Sequence, residues 1–260
     1  MNPHNVTPEQ LAALFERLNA LEHRFQETVE AEKLESLAEW AAGAGHEINN
    51  PLAVITGRAQ LLARDEPDPQ RRRELAVIRA QAQRVHEMIA DLMLFARPPE
   101  PDFKPCPLAD LLEQLVRELQ PRADERRVQV LLDPPAALEV AADPVQLAVA
   151  VRAVCDNALE AVEPGGQVHI SARSSTLDAA DSSQRWIEML VSDDGPGISP
   201  EVRRHLFDPF FSGRQAGRGL GMGLAKCWRI VTRHGGHVSV TSEPDAGTTV
   251  VIRLPARRNP

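Results

Sequence analysis

The stretch AAGAGHEINNPLAV (41–54) sets a histidine, His46, directly before a carboxylate, Glu47, and one helical turn before an amide, Asn50. An imidazole with one unprotonated ring nitrogen is a nucleophile at neutral pH. A carboxylate such as Glu47 can fix its tautomer and make the attacking nitrogen more basic. The surroundings break helix rules: Gly43 and Gly45 each cost about 1 kcal/mol against alanine, and Pro51 should kink the chain. Rules broken together at one place mark a site rather than a scaffold. His46 lies two residues from Ala44 and two from Ile48, off the apolar stripe they share, so it should face solvent. A chance surface residue is the plain reading of most lone histidines. The others here (His4, His23, His86, His169, His205, His234 and His237) lack such surroundings.

A second set of residues suits a nucleotide. Asp193-x-Gly195-x-Gly197 follows a strand ending at Val191. A carboxylate at a strand end can accept a hydrogen bond from an adenine amino group, and glycines let the backbone crowd the ring. Hairpin turns also read this way. Gly217, Gly219, Gly221 and Gly223 alternate just before a helix. Bare N–H groups and the positive end of the helix dipole suit phosphates there. Upstream, Asn157 in DNALEAV (156–162) could offer a neutral oxygen to a Mg²⁺ ion that bridges phosphates. Each piece alone also reads as a turn, a loop or a polar helix face.

The elements that must position these residues fall into zones. From Leu11 to about Val29 apolar residues at 11, 14, 18, 21 and 25 make a short heptad seam, which fits an ordinary amphipathic helix or a coiled coil. Leu37, Ala41, Ala44, Ile48, Leu52, Ile55, Ala59 and Leu62 then stripe a helix that DEPDPQ (65–70) must end. A second stripe runs from Leu75 to Ala96. Two antiparallel helices with one stripe each have little core, and a homodimeric four-helix bundle solves that. Five prolines between 98 and 107 suggest a stiff, extended linker. A mixed α+β domain follows, with helices from Leu108, from Asp143-Pro144 and from about Leu220 to His234. Its strands are expected near 128–132, 138–141, 167–173, 186–191, 237–241 and 248–254. The expected segments are an N-terminal amphipathic or coiled-coil helix at 1–36, a helical dimerisation hairpin at 37–97, a linker at 98–107 and the mixed α+β domain at 108–260.

Composition narrows the function classes. A net charge of −8 over 260 residues argues against a nucleic-acid binder, which needs Lys and Arg to neutralise phosphates. No apolar run approaches the roughly 18 residues of a membrane span, and the polar start MNPHNVTPEQ is no signal peptide. Three scattered cysteines suggest thiols in a reducing compartment. The expectation is a cytoplasmic protein without direct membrane insertion.

His46, Glu47, Asn50 and Pro51 match in place the H-box of sensor histidine kinases, His-Glu/Asp-x-x-Asn/Thr-Pro. The version HEINNPL looks most like the nitrogen-regulation branch. Asn157, DDGPGI, FDPFF (207–211), GRGLGMGLA (217–225) and GTTV (247–250, with Thr248) resemble, in order, the N, G1, F, G2 and trailing G boxes of the same family. The resemblance covers roughly 37–254 and implies a Bergerat-type α/β sandwich, as in gyrase, Hsp90 and MutL, behind the helical hairpin. It further implies that His46 is phosphorylated from Mg·ATP, that Glu47 handles its proton, and that Asn50 orients water when a partner is dephosphorylated. In the same terms Asp193 holds adenine, Asn157 holds Mg²⁺, and 199–219 form a mobile lid anchored by Phe207 and Phe210. The implied partners are a second copy, the receiver domain of a response regulator, and an upstream sensor protein or domain. Two positions depart from the family. Ala153 stands where an Asn is usual, and Glu160 where many members have a phosphate-binding Lys. Arg214 and Arg218 are then the candidates to meet phosphate charge. Ala153 also argues against a gyrase-like hydrolytic clamp, because the resemblance puts that reaction's general base at the same place.

Overall fold

The computed structural model describes residues 8–133, 137–176, 185–211 and 221–256. They divide into two compact units, Met1–Arg97 and Pro98–Pro260.

The first unit is a helical hairpin of α1 (Pro8–Asp65) and α2 (Pro69–Ala96). The N-terminal segment and the first hairpin helix form one continuous helix of 58 residues. The intervening VEAEKLESL holds no glycine or proline, so nothing interrupts it. The helix also continues through Pro51. It ends at the prolines of the turn, where Asp68 caps α2 by accepting the Gln70 N–H at 2.8 Å and Pro69 opens the first turn. The buried side chains are mostly small: Ala38, Ala41, Ala59 and Ala82, with Leu92, Phe95 and Ala96 at one end. Val54 (62% exposed), Leu61 and Leu62 (64% each) and Val77 (58%) remain in water. A second copy that covers this band would supply the core the hairpin lacks.

The second unit runs β1 (Lys104–Pro107), α3 (Leu108–Arg126), β2 (Gln129–Leu132), β3 (Glu139–Ala142), α4 (Pro144–Ala161), β4 (Gln167–Thr176), β5 (Arg185–Asp193), α5 (Pro200–Arg203), α6 (Gly223–Arg233), β6 (His237–Ser242) and β7 (Thr248–Pro255). Five strands form a mixed sheet in the order β2-β4-β5-β7-β6, parallel at β2–β4 and antiparallel elsewhere. Strand β7 alternates, with Thr248, Val250, Ile252 and Leu254 buried. Helices α3, α4 and α6 pack on the sheet and bury Leu112, Leu119, Leu147, Val151, Ile230 and Val231. Cys106, Cys155 and Cys227 are free and buried. Burial pushes all three thiols up, Cys227 to about 12, so they stay protonated and inert at neutral pH.

The proline-rich segment expected as a linker is extended, but it is no free tether. Lys104–Pro107 pair antiparallel with Glu139–Ala142. The Gln146 amide donates to Pro99 O at 3.1 Å, the Asp102 N–H donates to the Asp143 carboxylate at 3.1 Å, and Arg233 pairs with Glu100 at 2.8 Å. The buried His234 joins these parts: its Nε2 accepts the Asp143 N–H at 3.0 Å, which leaves Nδ1 to donate to Ile230 O at 2.9 Å. Phe103 lies against its ring, with centroids 5.1 Å apart. No hydropathy pattern marks a strand in KPCP; long-range partners make it one.

Glu188, buried in the middle of β5, receives Arg253 at 2.7 Å and Arg173 at 2.8 Å from the two flanking strands. Burial alone would raise its pKa, but the hydrogen bonds and charges of Arg253 and Arg173 outweigh it and hold the carboxyl below its ordinary value. A carboxylate depressed on folding adds stability above its unfolded pKa and loses it as pH falls through the folded one. Denaturant midpoints of the wild type are therefore expected to drop below about pH 4, near the ordinary glutamate range. In Glu188→Gln the midpoint should be lower at neutral pH and its acid slope shallower. A parallel acid slope would show that Glu188 is not the group involved. For the helical unit, Leu62→Glu is expected to shift sedimentation from dimer toward monomer. An unchanged dimer would put the contact elsewhere.

Candidate functional site

Helix α4 organises the candidate site of the second unit. Asp143 caps its start, accepting the Val145 N–H at 2.9 Å and the Gln146 N–H at 3.1 Å, and Pro144 opens the first turn. Residues 153, 157 and 161 recur every four positions and so share one face. Both glycine segments meet that face. A Cβ on Gly223, the first residue of α6, would stand 3.5 Å from Asn157 Nδ2, 3.6 Å from its Oδ1 and 3.8 Å from Ala153 O. A Cβ on Gly195 would stand 3.2 Å from Ala161 O and 2.8 Å from the Asp193 carboxylate. Asn157 is therefore brought beside the start of α6, where backbone N–H groups have no partner within the helix.

Asp193 ends β5 opposite Thr248 of β7. One of its carboxylate oxygens accepts the Gly195 N–H at 3.0 Å, which orients the side chain at the mouth of the loop. The loop is then clamped to the β6–β7 turn. Gly197 has φ +70°, and a Cβ there would collide with the Glu243 carbonyl. Gly247, at φ +78°, passes equally close to the Asp193 carbonyl. The Asp245 N–H donates to Pro196 O at 2.8 Å. Ser242, which the sequence reading missed, is the hub. Its hydroxyl accepts the Ile198 N–H at 2.8 Å, donates to Gly247 O at 2.8 Å and lies 3.0 Å from the Thr248 hydroxyl. Thr248 is thus buried behind the loop. A serine at a strand end carries no signal in sequence, since its partners come from two separate chain reversals.

Gly221, at φ +68°, crosses the backbone of Phe210 and Phe211 closely enough to exclude any side chain. Phe207 is half-buried. Phe210 is not the anchor expected of it: it is 50% exposed, with φ +66°, where the chain reverses to pass Gly221. Phe211 is the more covered of the pair and packs on His205, whose Nδ1 lies 2.7 Å from Asp208. Arg214, Arg218 and Gly219, with most of the second half of the expected lid, lie outside the described residues.

The two departures find structural roles. Glu160 pairs with Arg122 of α3 at 2.6 Å, and the same guanidinium holds Asp156 at 2.7 Å. Burial raises the Asp156 pKa, against the pull of Arg122, Arg152 and Lys226. Lys226, in the first turn of α6, is a cation whose charge acts on Asp156; the sequence reading passed over it, although it stands three residues after the last glycine of the run. Ala153 is buried, and its carbonyl faces the start of α6 at Gly223.

In the helical unit His46, Glu47 and Asn50 are all exposed on α1. Gly45, next to His46, is buried, and a Cβ on it would stand 3.0 Å from Ile89 of α2. Gly43 is open, with nothing within 4 Å of its Cβ position. The imidazole is therefore carried on the solvent side of a turn whose other side is pressed against α2.

Residues 36–101 match the family described as the His Kinase A (phospho-acceptor) domain. Residues 142–258 match the histidine kinase-, DNA gyrase B- and HSP90-like ATPases. The signal transduction histidine-protein kinase AtoS of Escherichia coli strain K12 is 30% identical over 255 residues, covering 97% of this chain and 40% of its own length. Sporulation kinase D of Bacillus subtilis strain 168 is 30% identical over 230 residues, 87% of this chain and 43% of its own. The chain thus spans less than half the length of these relatives. A crystal structure of full-length ShkA in complex with AMPPNP superposes with a TM-score of 0.69 at 26% identity, over 84% of this chain and 45% of that one. The phospho-acceptor match takes in α2 and the stretch of α1 that carries His46, the ATPase match takes in both glycine segments on α4, and the two domain matches together with the kinase relatives support a sensor histidine kinase.

Proposed function

We propose that this chain phosphorylates its own His46 from ATP and passes the phosphoryl group to an aspartate on the receiver domain of a response regulator. The observation that carries the reading is the face of α4 at 153, 157 and 161, on which Gly195 beside Asp193 and Gly223 beside Asn157 converge. In this reading the Asp193 carboxylate, oriented by the Gly195 N–H, would accept from the adenine amino group, and Asn157 stands beside a helix start suited to phosphates. Ala153 stands where the resemblance puts the general base of a hydrolytic clamp and cannot activate water, which disfavours that reading.

In the proposed reaction an unprotonated ring nitrogen of His46 attacks the γ-phosphorus in line. The bond from that phosphorus to the oxygen bridging the β-phosphate breaks, and ADP leaves with the electron pair. Glu47 takes the ring proton. Asn157 would hold Mg²⁺ through its amide oxygen, and the ion would supply charge neutralisation across the phosphates. Lys226, with Arg214 and Arg218 from the lid, would add positive charge. Positioning supplies most of the rate. When the partner is dephosphorylated, Asn50 orients the attacking water. HEINNPL supports placing the chain in the nitrogen-regulation-like branch, acting as a cytoplasmic homodimer downstream of a sensor protein or domain. Among the described residues no helix is long and apolar enough to cross a membrane.

Incubation with radiolabelled Mg·ATP is expected to give an acid-labile, alkali-stable label on the wild type and none on His46→Gln or Asn157→Ala. Label that persists on His46→Gln overturns the site assignment. Gly197→Ala meets both a left-handed backbone and the Glu243 carbonyl. It is expected to weaken ATP binding in calorimetry by at least about tenfold, on the basis of roughly 1–2 kcal/mol for the backbone alone. Ser242→Ala, which strands the Ile198 N–H, should also weaken binding, while Ser242→Thr keeps the hydroxyl and most of the affinity. Full affinity in Gly197→Ala would show that the loop is not part of the nucleotide site.

A further inference from the structure

Two side chains of α2 meet the turn of α1 that carries His46. Ile89 Cγ2 lies 3.0 Å from the Cβ position of Gly45, and His86 Nδ1 lies 2.9 Å from Asn49 Oδ1. Gly45 and Asn49 are one turn apart on α1, and His86 and Ile89 one turn apart on α2. The contacts therefore grip the turn at two points, just before His46 and just before Asn50.

This turn cannot hold its own rotation well. Pro51 has no N–H, so the Glu47 carbonyl receives no bond from the residue four positions on. Gly43 and Gly45 weaken the preceding turn by about 1 kcal/mol each. The helix is short of a hydrogen bond on one side of the reactive residues and entropically loose on the other. Side-chain tips lie roughly 5–6 Å from a helix axis, so a rotation of about 10° moves the His46 ring by about 1 Å. A misplacement of that size can cost on the order of 100-fold in rate.

We propose that His86 is a positioning residue for phosphoryl transfer: its Nδ1–H donates to Asn49 Oδ1 and, with Ile89 behind Gly45, fixes the rotation of the phospho-acceptor turn. The inference rests on the reading that His46 is the phospho-acceptor. Neither His86 nor Asn49 is specified by the H-box pattern, which leaves the position of Asn49 open. His86 is exposed, so its replacement leaves the packing of the hairpin intact.

The test uses the full chain with His86→Leu, which removes the donor, and His86→Asn, which keeps an N–H close to the Nδ1 position. The labelling rate constant at saturating ATP is expected to fall by about tenfold or more in His86→Leu. The ATP concentration giving half the maximal rate should not change, and His86→Asn should retain most of the rate. Asn49→Ala should lose as much as His86→Leu, and the double variant no more than either. Backbone amide exchange across 46–50 should quicken in His86→Leu and stay slow in His86→Asn. A wild-type rate in His86→Leu, an equal loss in His86→Asn, or losses that multiply in the double variant overturns the proposal. A wild type that takes no label refutes the proposed function instead. The exchange measurement still judges the grip in that case, since unchanged exchange in His86→Leu overturns it.

Discussion

The nucleotide half depends on one close approach of backbone to backbone, between the loop 193–198 and the turn 243–248. The pairing of β5 with β7 ends with Asp193 opposite Thr248, so the two chain reversals emerge side by side from the same end of the sheet. They touch only because Gly197 and Gly247 have no side chains at the contact and adopt left-handed backbone that other residues resist. Ser242 then satisfies polar groups that the contact would otherwise strand. With the loop set in this way, Asp193 points where the Gly195 N–H holds it, and Gly195 can reach α4. Sheet register, glycine placement and one buried hydroxyl are thus a single device.

The helical unit solves a different problem. The imidazole proposed as the nucleophile has to stand in water, on a helix that is otherwise retained by packing. Leu92, Phe95 and Ala96 give the hairpin a buried end, while alanines and Gly45 let α1 and α2 approach closely at the level of His46. The turn is weakened by two glycines and a proline, and it is supported from α2 rather than from within. The apolar band around Val54, Leu61 and Leu62 shows that one copy of the hairpin does not complete its own core.

Glu160 illustrates how a departure from a family pattern can be structural. In place of a cation aimed at phosphates stands an acid held by Arg122, and that guanidinium also binds Asp156, so α3 and α4 are joined by a bridged pair of carboxylates. The proline-rich segment is similar. Its prolines dictate extended backbone, yet Asp143, Gln146, Arg233 and His234 decide that it lies along the second unit as a strap.

Much was legible from sequence, because the features concerned are local. The helix stripes, the helix start at Asp143-Pro144 and the solvent-facing position of His46 all follow from spacing over one or two turns. Even the order of the boxes needs only the chain itself. What sequence could not supply are contacts whose partners lie far apart: the strand made of KPCP, the Ser242 hub, the two-point grip of His86 and Ile89, and the outward turn of Phe210. Each depends on where two distant backbones cross, and a hydrogen bond or a steric exclusion leaves no periodic trace in either partner. The amino-acid order by itself determined which elements form and which residues are chemically able; the tertiary structure alone decided which backbones meet and therefore how those residues are held.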